Sequence, residues 1–179
     1  MRLFIGIPLE ERVKSDIVNL QEKFRSAGKI KWVGKENLHV TVKFLGETFE
    51  SSIESIKSAM DKSIAGIESF HITINKVLGF PSIKRPKVIW ANVDKNAEII
   101  EKIFMDLEDG LSGFGFAKEE RKYTPHITMA RVKDGADISD ISEKLDFEYN
   151  TKIESVVLFK SELKPQGAVH TKIYEVVLK

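Results

Sequence analysis

Apolar and polar positions along the chain follow two periods, and the switches between them mark its elements. Leu3 to Leu9 has strand character, after which Val13, Ile17, Leu20 and Phe24 recur at helical spacing. This predicts a helix over residues 10–27 that stops at Gly28. Ile30 to Val33 reads as a short strand and "GKEN" as a turn. Leu38, Val40, Val42 and Phe44 then alternate with His39, Thr41 and Lys43, as in a half-buried strand with the three polar residues on one face. A second helix is expected from Ser51, where "SSIE" offers a capping box from Ser51 to Glu54. It would bury Ile53, Ile56, Met60 and Ile64 before Gly66. Strands over 69–78 and 87–93 follow, joined by the basic loop "GFPSIKRPK". From Asp94 the pattern begins again: a helix carrying Ile99, Ile103 and Leu107, a strand from His126 to Val132, a short helix with Ile138, Ile141 and Leu145, and strands over 152–162 and 169–178.

The order helix, strand, His-x-Thr strand, helix, strand, strand thus occurs twice, and the register of the repeat can be tested. His39 and His126 lie 87 positions apart, and "ES" at 68–69 recurs at 154–155, 86 apart. A similar offset lays "VIWANV" over "KIYEVV", with Trp90 over Tyr174. The tripeptide His-x-Thr itself appears three times, in "LHVTV", "FHITI" and "PHITM". His71 of the middle copy falls on Val157 in this register and has no partner. His39 and His126 occupy equivalent strands, which a pseudo-twofold arrangement would bring face to face across a cleft.

Composition narrows the function classes. At 179 residues the chain suits one domain or two joined lobes, and 28 basic against 27 acidic residues argue against broad coating of nucleic acid. The absence of cysteine excludes disulfides, thiolate metal sites and a cysteine nucleophile. No apolar run approaches the roughly 18 residues of a membrane span. The start "MRLFIGIPLEER" turns charged too early for a signal peptide, so a cytoplasmic protein with no membrane partner is expected.

A histidine pair suits in-line displacement at phosphorus. Histidine titrates near neutrality, so one ring can take a proton from attacking water while the other protonates the departing oxygen. Residues i and i+2 of a strand share a face, so His-x-Thr sets a proton carrier beside a hydroxyl donor. Thr41 and Thr128 are thereby placed to hold the non-bridging oxygens. No metal or other cofactor is required.

The stretches "LHVTVKFLGE" and "YTPHITMARVK", with "FIGIPLEE" and "GFPSIKRPKVIWANV", resemble the two-histidine (2H) phosphoesterase superfamily over nearly the whole chain. Within it they look like the RNA 2',3'-cyclic phosphodiesterase family, also called 2'-5' RNA ligases. Met129 stands where leucine is common, a change of similar volume. The resemblance implies an α+β fold, bilobal and duplicated, with two antiparallel sheets lining a central cleft and helices packed outside. Residues 1–179 would form a single domain of two pseudo-symmetric lobes, with HxTx motifs at 39–42 and 126–129. It implies metal-free hydrolysis of RNA 2',3'-cyclic phosphate ends to 2'-phosphomonoesters, with reversible 2'-5' ligation as a further activity. His39 would be the proton donor and His126 the proton acceptor. The expected partners are RNA termini or oligonucleotides ending in a cyclic phosphate, and a monomer is expected.

Other candidates stay open. Arg131 falls on the opposite face from His126 by simple alternation, as an exposed cation, unless a bulge or strand end returns it to bind phosphate. Lys43 shares the face of His39 and is a second candidate for substrate binding. Lys84, Arg85 and Lys87 form either a solvated turn or an RNA-backbone contact. Trp32, Phe44 and Trp90 are assigned to core packing, Tyr123 is a candidate for base stacking, and His71 and His170 are assigned no role. Two other classes compete: a non-catalytic RNA-end or nucleotide-binding module, and a metal site built from His39, His71 and His126. The register separates the three motifs experimentally. His71→Ala is expected to keep most activity on a cyclic-ended oligonucleotide, whereas His39→Ala or His126→Ala loses about 100-fold or more in kcat.

Overall fold

A computed structural model describes residues 1–179. Its elements run β1 (Arg2–Pro8), α1 (Glu11–Glu22), β2 (Ile30–Trp32), β3 (His39–Glu47), α2 (Ile53–Ile64), β4 (Phe70–Phe80) and β5 (Val88–Val93). There follow α3 (Ala97–Ser112), β6 (His126–Val132), α4 (Ser139–Lys144), β7 (Tyr149–Ile153), β8 (Ser155–Lys164) and β9 (Gly167–Val177). All strand pairings are antiparallel, and the hydrogen-bonded order is β7-β4-β5-β6-β3-β1-β8-β9, with β2 added beside β6. The two His-x-Thr strands, β3 and β6, lie at its centre, with β1 on the outer side of β3 and β5 on the outer side of β6.

The expected two sheets are the two halves of this order, joined into one sheet between β3 and β6. The seam between β3 and β6 holds a single ladder pair, Val40 with Ile127. One half, β3, β1, β8 and β9, draws strands from both ends of the chain, whereas the other, β4, β5, β6 and β7, comes from its middle. One register landmark does not carry over to position. β5 lies beside β6 as β1 lies beside β3, so "VIWANV" answers to β1, and β9, which carries "KIYEVV", answers to the edge strand β7.

The helices cover one face. Helices α2 and α3 lie side by side over the β3 and β9 half, and α1 and α4 over β7 and β4. Val13, Ile17 and Leu20 of α1, and Ile56, Met60 and Ile64 of α2, point into a core continuous with Val40, Val42, Ile127 and Met129 from the central strands. Three local expectations fail. The Ser51–Glu54 capping box does not form: residues 50–52 make a 3-10 turn and Ser52 precedes α2 with no side-chain cap. Helix α3 buries Ile100 rather than Ile99, in line with Ile103, Leu107 and Leu111. The strand expected over 152–162 is two strands, broken at Glu154, with β7 pairing β4 and β8 pairing β1.

Each central strand carries a bulge, an extra residue that resets which side chains face the core. In β3 the register against β1 steps between Thr41 and Lys43, so Val42 and Lys43 are both buried. In β6 the register against β5 steps between Thr128 and Ala130, so Met129 and Ala130 are both buried. Buried polar groups hold both bulges. The Met129 carbonyl accepts from the Val33 N–H at 2.8 Å and from the buried Gln21 side chain at 3.2 Å. Lys43 pairs with Glu108 of α3 and donates to the Ala117 carbonyl at 3.0 Å, while Glu108 also accepts from the Glu119 N–H at 2.6 Å.

This places Lys43 on the helix side, a correction to its assignment as a substrate-binding residue: the bulge turns it away from His39 and Thr41. Removing one partner of such a pair leaves a buried charge uncompensated. Lys43→Met is expected to lower the unfolding free energy by about 3–5 kcal/mol in urea titrations, and Lys43→Met with Glu108→Leu to recover most of that loss.

Candidate active site

The face opposite the helices forms a cleft of about 1050 Å³, whose walls include His39, Thr41, Thr128 and Arg131. Antiparallel register through Val40 and Ile127 sets His39 across from Thr128 and Thr41 across from His126. His-x-Thr twice over therefore makes a crossed arrangement, in which each histidine stands across the seam from the threonine of the other motif.

Both imidazoles are held in the same way. His39 Nδ1 donates to the Asn37 carbonyl at 2.7 Å, and His126 Nδ1 to the Thr124 carbonyl at 2.7 Å. A neutral ring with its proton on Nδ1 presents a bare Nε2, the nitrogen left free to exchange a proton with a ligand. On His39 that nitrogen accepts from the Thr41 hydroxyl at 2.9 Å. Burial pushes the His39 pKa down to about 4, against the Asn37 carbonyl, which favours the charged form, and with small repulsions from His170, Lys14 and His126. Burial also lowers His126, which its Thr124 carbonyl partly offsets. A phosphate anion in the cleft would reverse this pressure.

The neighbours of the two rings differ. Phe4 stacks on His39 with centroids 4.9 Å apart and planes at 28°. Gly6 makes room for this: a Cβ there would meet His39 Cδ2 and Phe4 Cε2 at 3.2 Å. The corresponding place in the other half holds Trp90, which meets His126 edge-on at 4.6 Å and 84°. The Trp90 Nε1–H is buried without a partner.

The bulge in β6 returns Arg131 to the cleft face, the alternative that simple alternation disfavoured. The matching bulge in β3 does the same for Phe44, which lies 87 positions before Arg131, lines the cleft and is 70% exposed. Its assignment to core packing is therefore corrected. Trp32 also lines the cleft. Tyr123 is not a stacking platform, because its hydroxyl donates to the Thr41 carbonyl at 2.8 Å and its ring stacks on Phe104 at 4.3 Å. Lys84, Arg85 and Lys87 are not among the walls, and Lys87 donates to the Lys133 carbonyl at 2.6 Å. His71 is exposed on β4, away from the cleft, and no three His, Cys, Asp or Glu side chains are grouped to hold a metal ion. His170, assigned no role from sequence, lines the cleft beside His39.

Because folding holds His39 neutral, the unfolded chain binds more protons between its ordinary pKa of 6.5 and the folded value of about 4. Stability from this residue is full above pH 6.5 and is lost as pH falls toward 4. Between pH 7 and pH 4 the native chain is expected to lose on the order of 3 kcal/mol more unfolding free energy than His39→Asn, read from urea midpoints.

The family model described as LigT like Phosphoesterase matches the chain twice, over residues 7–90 and 93–170. A relative from Methanocaldococcus jannaschii named RNA 2',3'-cyclic phosphodiesterase is 40% identical over 98% of this chain and 99% of its own length. One of the same name from Thermotoga maritima is 35% identical over 98% and 94%. Among solved structures, TT0787 of Thermus thermophilus superposes with a TM-score of 0.84 at 26% identity, covering 99% of this chain and 98% of that one. Escherichia coli LigT complexed with 3'-AMP shares the fold, with a TM-score of 0.79 at 18% identity over 99% and 97%. No helix is long and apolar enough to cross a membrane. With this antiparallel sheet, its outer helices and a double match spanning most of its length, the chain belongs to the LigT-like phosphoesterase family of the 2H superfamily.

Proposed function

We propose that the chain hydrolyses RNA 2',3'-cyclic phosphate ends to 2'-phosphomonoesters, as an RNA 2',3'-cyclic phosphodiesterase working without a metal. The observation that carries this reading is the crossed pair: two imidazoles tethered at Nδ1 to backbone carbonyls, each across the seam from the threonine of the other motif. The names of relatives 40% and 35% identical over nearly full length support the same substrate class.

In this reading a phosphate sits between Thr41 and Thr128, whose hydroxyls hold the non-bridging oxygens as charge grows on them. His126 Nε2 takes a proton from water as its oxygen bonds to phosphorus. The bond from phosphorus to the 3'-oxygen breaks, and His39 Nε2 supplies that oxygen's proton. The negative charge of the incoming phosphate offsets the cost of charging the buried His39, so the donor is loaded as substrate binds. Arg131 reaches the phosphate from the β6 bulge, and Phe44 and Trp32 offer ring faces to a base. A 5'-hydroxyl in place of water would give a 2'-5' linkage by the same geometry. The central, adjacent placement of the two His-x-Thr strands and the double family match support a single domain of two pseudo-symmetric lobes over 1–179. We place the protein in the cytoplasm, as a monomer.

The decisive test is a defined RNA with a 2',3'-cyclic phosphate end, incubated with a chelator present and the product mapped. The 2'-phosphomonoester is expected, with a loss of at least about 100-fold in His39→Ala and in His126→Ala. A 3'-phosphate product would reverse the assignment of the leaving oxygen. Tight binding with no product would instead make the protein an RNA-end binding module. Thr41→Val and Thr128→Val are expected to lower kcat by about 10-fold or more each with smaller changes in KM.

A further inference from the structure

His170 belongs to β9, across from Ser161 of β8, and both residues line the cleft. Its ring stands edge-on to His39, with centroids 5.4 Å apart and planes at 78°. It is also edge-on to Phe4, at 4.8 Å and 71°. Phe159 stacks on Phe4 at 5.1 Å and lies 6.2 Å from His39 and 6.4 Å from His170, so two apolar rings pack against the histidine pair. His39 and His126 each commit Nδ1 to a carbonyl, whereas the His170 ring makes no hydrogen bond to the protein and keeps both nitrogens for the cleft.

The charged groups around it are few. On the 3-10 turn over residues 35–37, Lys35 is engaged by Glu11 at 3.2 Å and Glu36 lines the cleft. On β8, Lys160 is engaged by Glu162 at 3.3 Å, and on β9 itself Lys172 by Glu175 at 2.7 Å. Arg2 of β1 and Lys164 at the β8–β9 turn line the cleft further along. Glu36 favours the charged imidazole and burial opposes it more strongly. The titrating ring in contact range is His39.

We propose that His170 is a positioning residue for proton donation: charges on its ring and on that of His39 exclude each other, so the pair carries one proton at a time and His170 sets how often His39 holds it. This rests on the assignment of His39 as the donor. Two imidazolium charges this close in a partly dry cleft repel, so a pair that has taken up one proton resists the second. A bound phosphate draws that one proton in. His170 changes how often His39 carries it; the transfer from His39 Nε2 to the 3'-oxygen is the same step.

The test is a histidine NMR titration of the full chain, alone and with inorganic phosphate, for the native protein, His170→Phe and His170→Asn. Phenylalanine keeps the cover over His39 and removes the charge; asparagine removes both. In the native protein, His39 is expected to titrate in two steps. In both variants it titrates in one, at a midpoint higher by about half a pH unit or more, and the acid limb of kcat/KM on a cyclic-ended dinucleotide moves with it. An unchanged His39 titration in His170→Phe overturns the proposal, as does a shift confined to His170→Asn, which marks burial as the only cause. The NMR readout is independent of turnover. Loss of coupling with activity still dependent on His39 and His126 counts against His170 alone, whereas activity independent of both histidines counts against the proposed reaction.

Discussion

The bulge in each central strand is the constraint on which the rest of the molecule depends. A regular strand from His39 or His126 would send Phe44 and Arg131 into the core and bring Lys43 and Ala130 to the ligand face. An extra residue directly after each His-x-Thr reverses both outcomes. The bulges persist because buried polar groups are fitted to them. Gln21 and the Val33 N–H close on the Met129 carbonyl, and the Lys43–Glu108 pair draws the other strand toward α3. An ion pair that reads on a sequence as surface chemistry thus sets the orientation of an aromatic side chain on the far side of the sheet.

The two halves share this frame and differ in what they place on it. Phe44 and Arg131 occupy matching positions after the bulge, an aromatic face in one half and a guanidinium in the other. Gly6 and Trp90 occupy matching positions beside the histidines, so one ring is covered by Phe4 and the other meets an indole edge. Near-identical tethers at Nδ1 therefore hold two imidazoles in unlike surroundings, which is how a symmetric scaffold can set chemically identical groups apart.

Much of this is legible in the amino-acid order, and the exceptions have physical reasons. The bounds of β6 follow from alternation, a local signal, and the offset of about 87 residues pairs "LHVTV" with "PHITM", whose strands lie side by side at the centre of the sheet. The place of Lys43, Phe44 and Arg131 depends on a bulge, which has no signature in "VKF" or "ARV" since both residues of each bulge can be buried. His170 is invisible for another reason: what brings it to His39 is pairing of β9 with β8 and of β8 with β1, contacts between opposite ends of the chain. Strand β7 merges with β8 in the apolar pattern, because only Glu154 separates them and each pairs with a different neighbour.

The interleaved sheet also has a bearing on synthesis. The bed of His39 is assembled from Phe4 near the start of the chain and from Phe159 and His170 near its end. A ribosome making the chain from its first strand releases β1 and β3 long before β8 and β9 exist to cover them. Half of the sheet must wait, edges unpaired, while the other half can already close around β4, β5 and β6. Both histidines are translated early relative to that last hairpin, yet the pocket around His39 is built by the final strands. A nascent chain of this topology carries His39 and His126 before it has the strands that enclose His39.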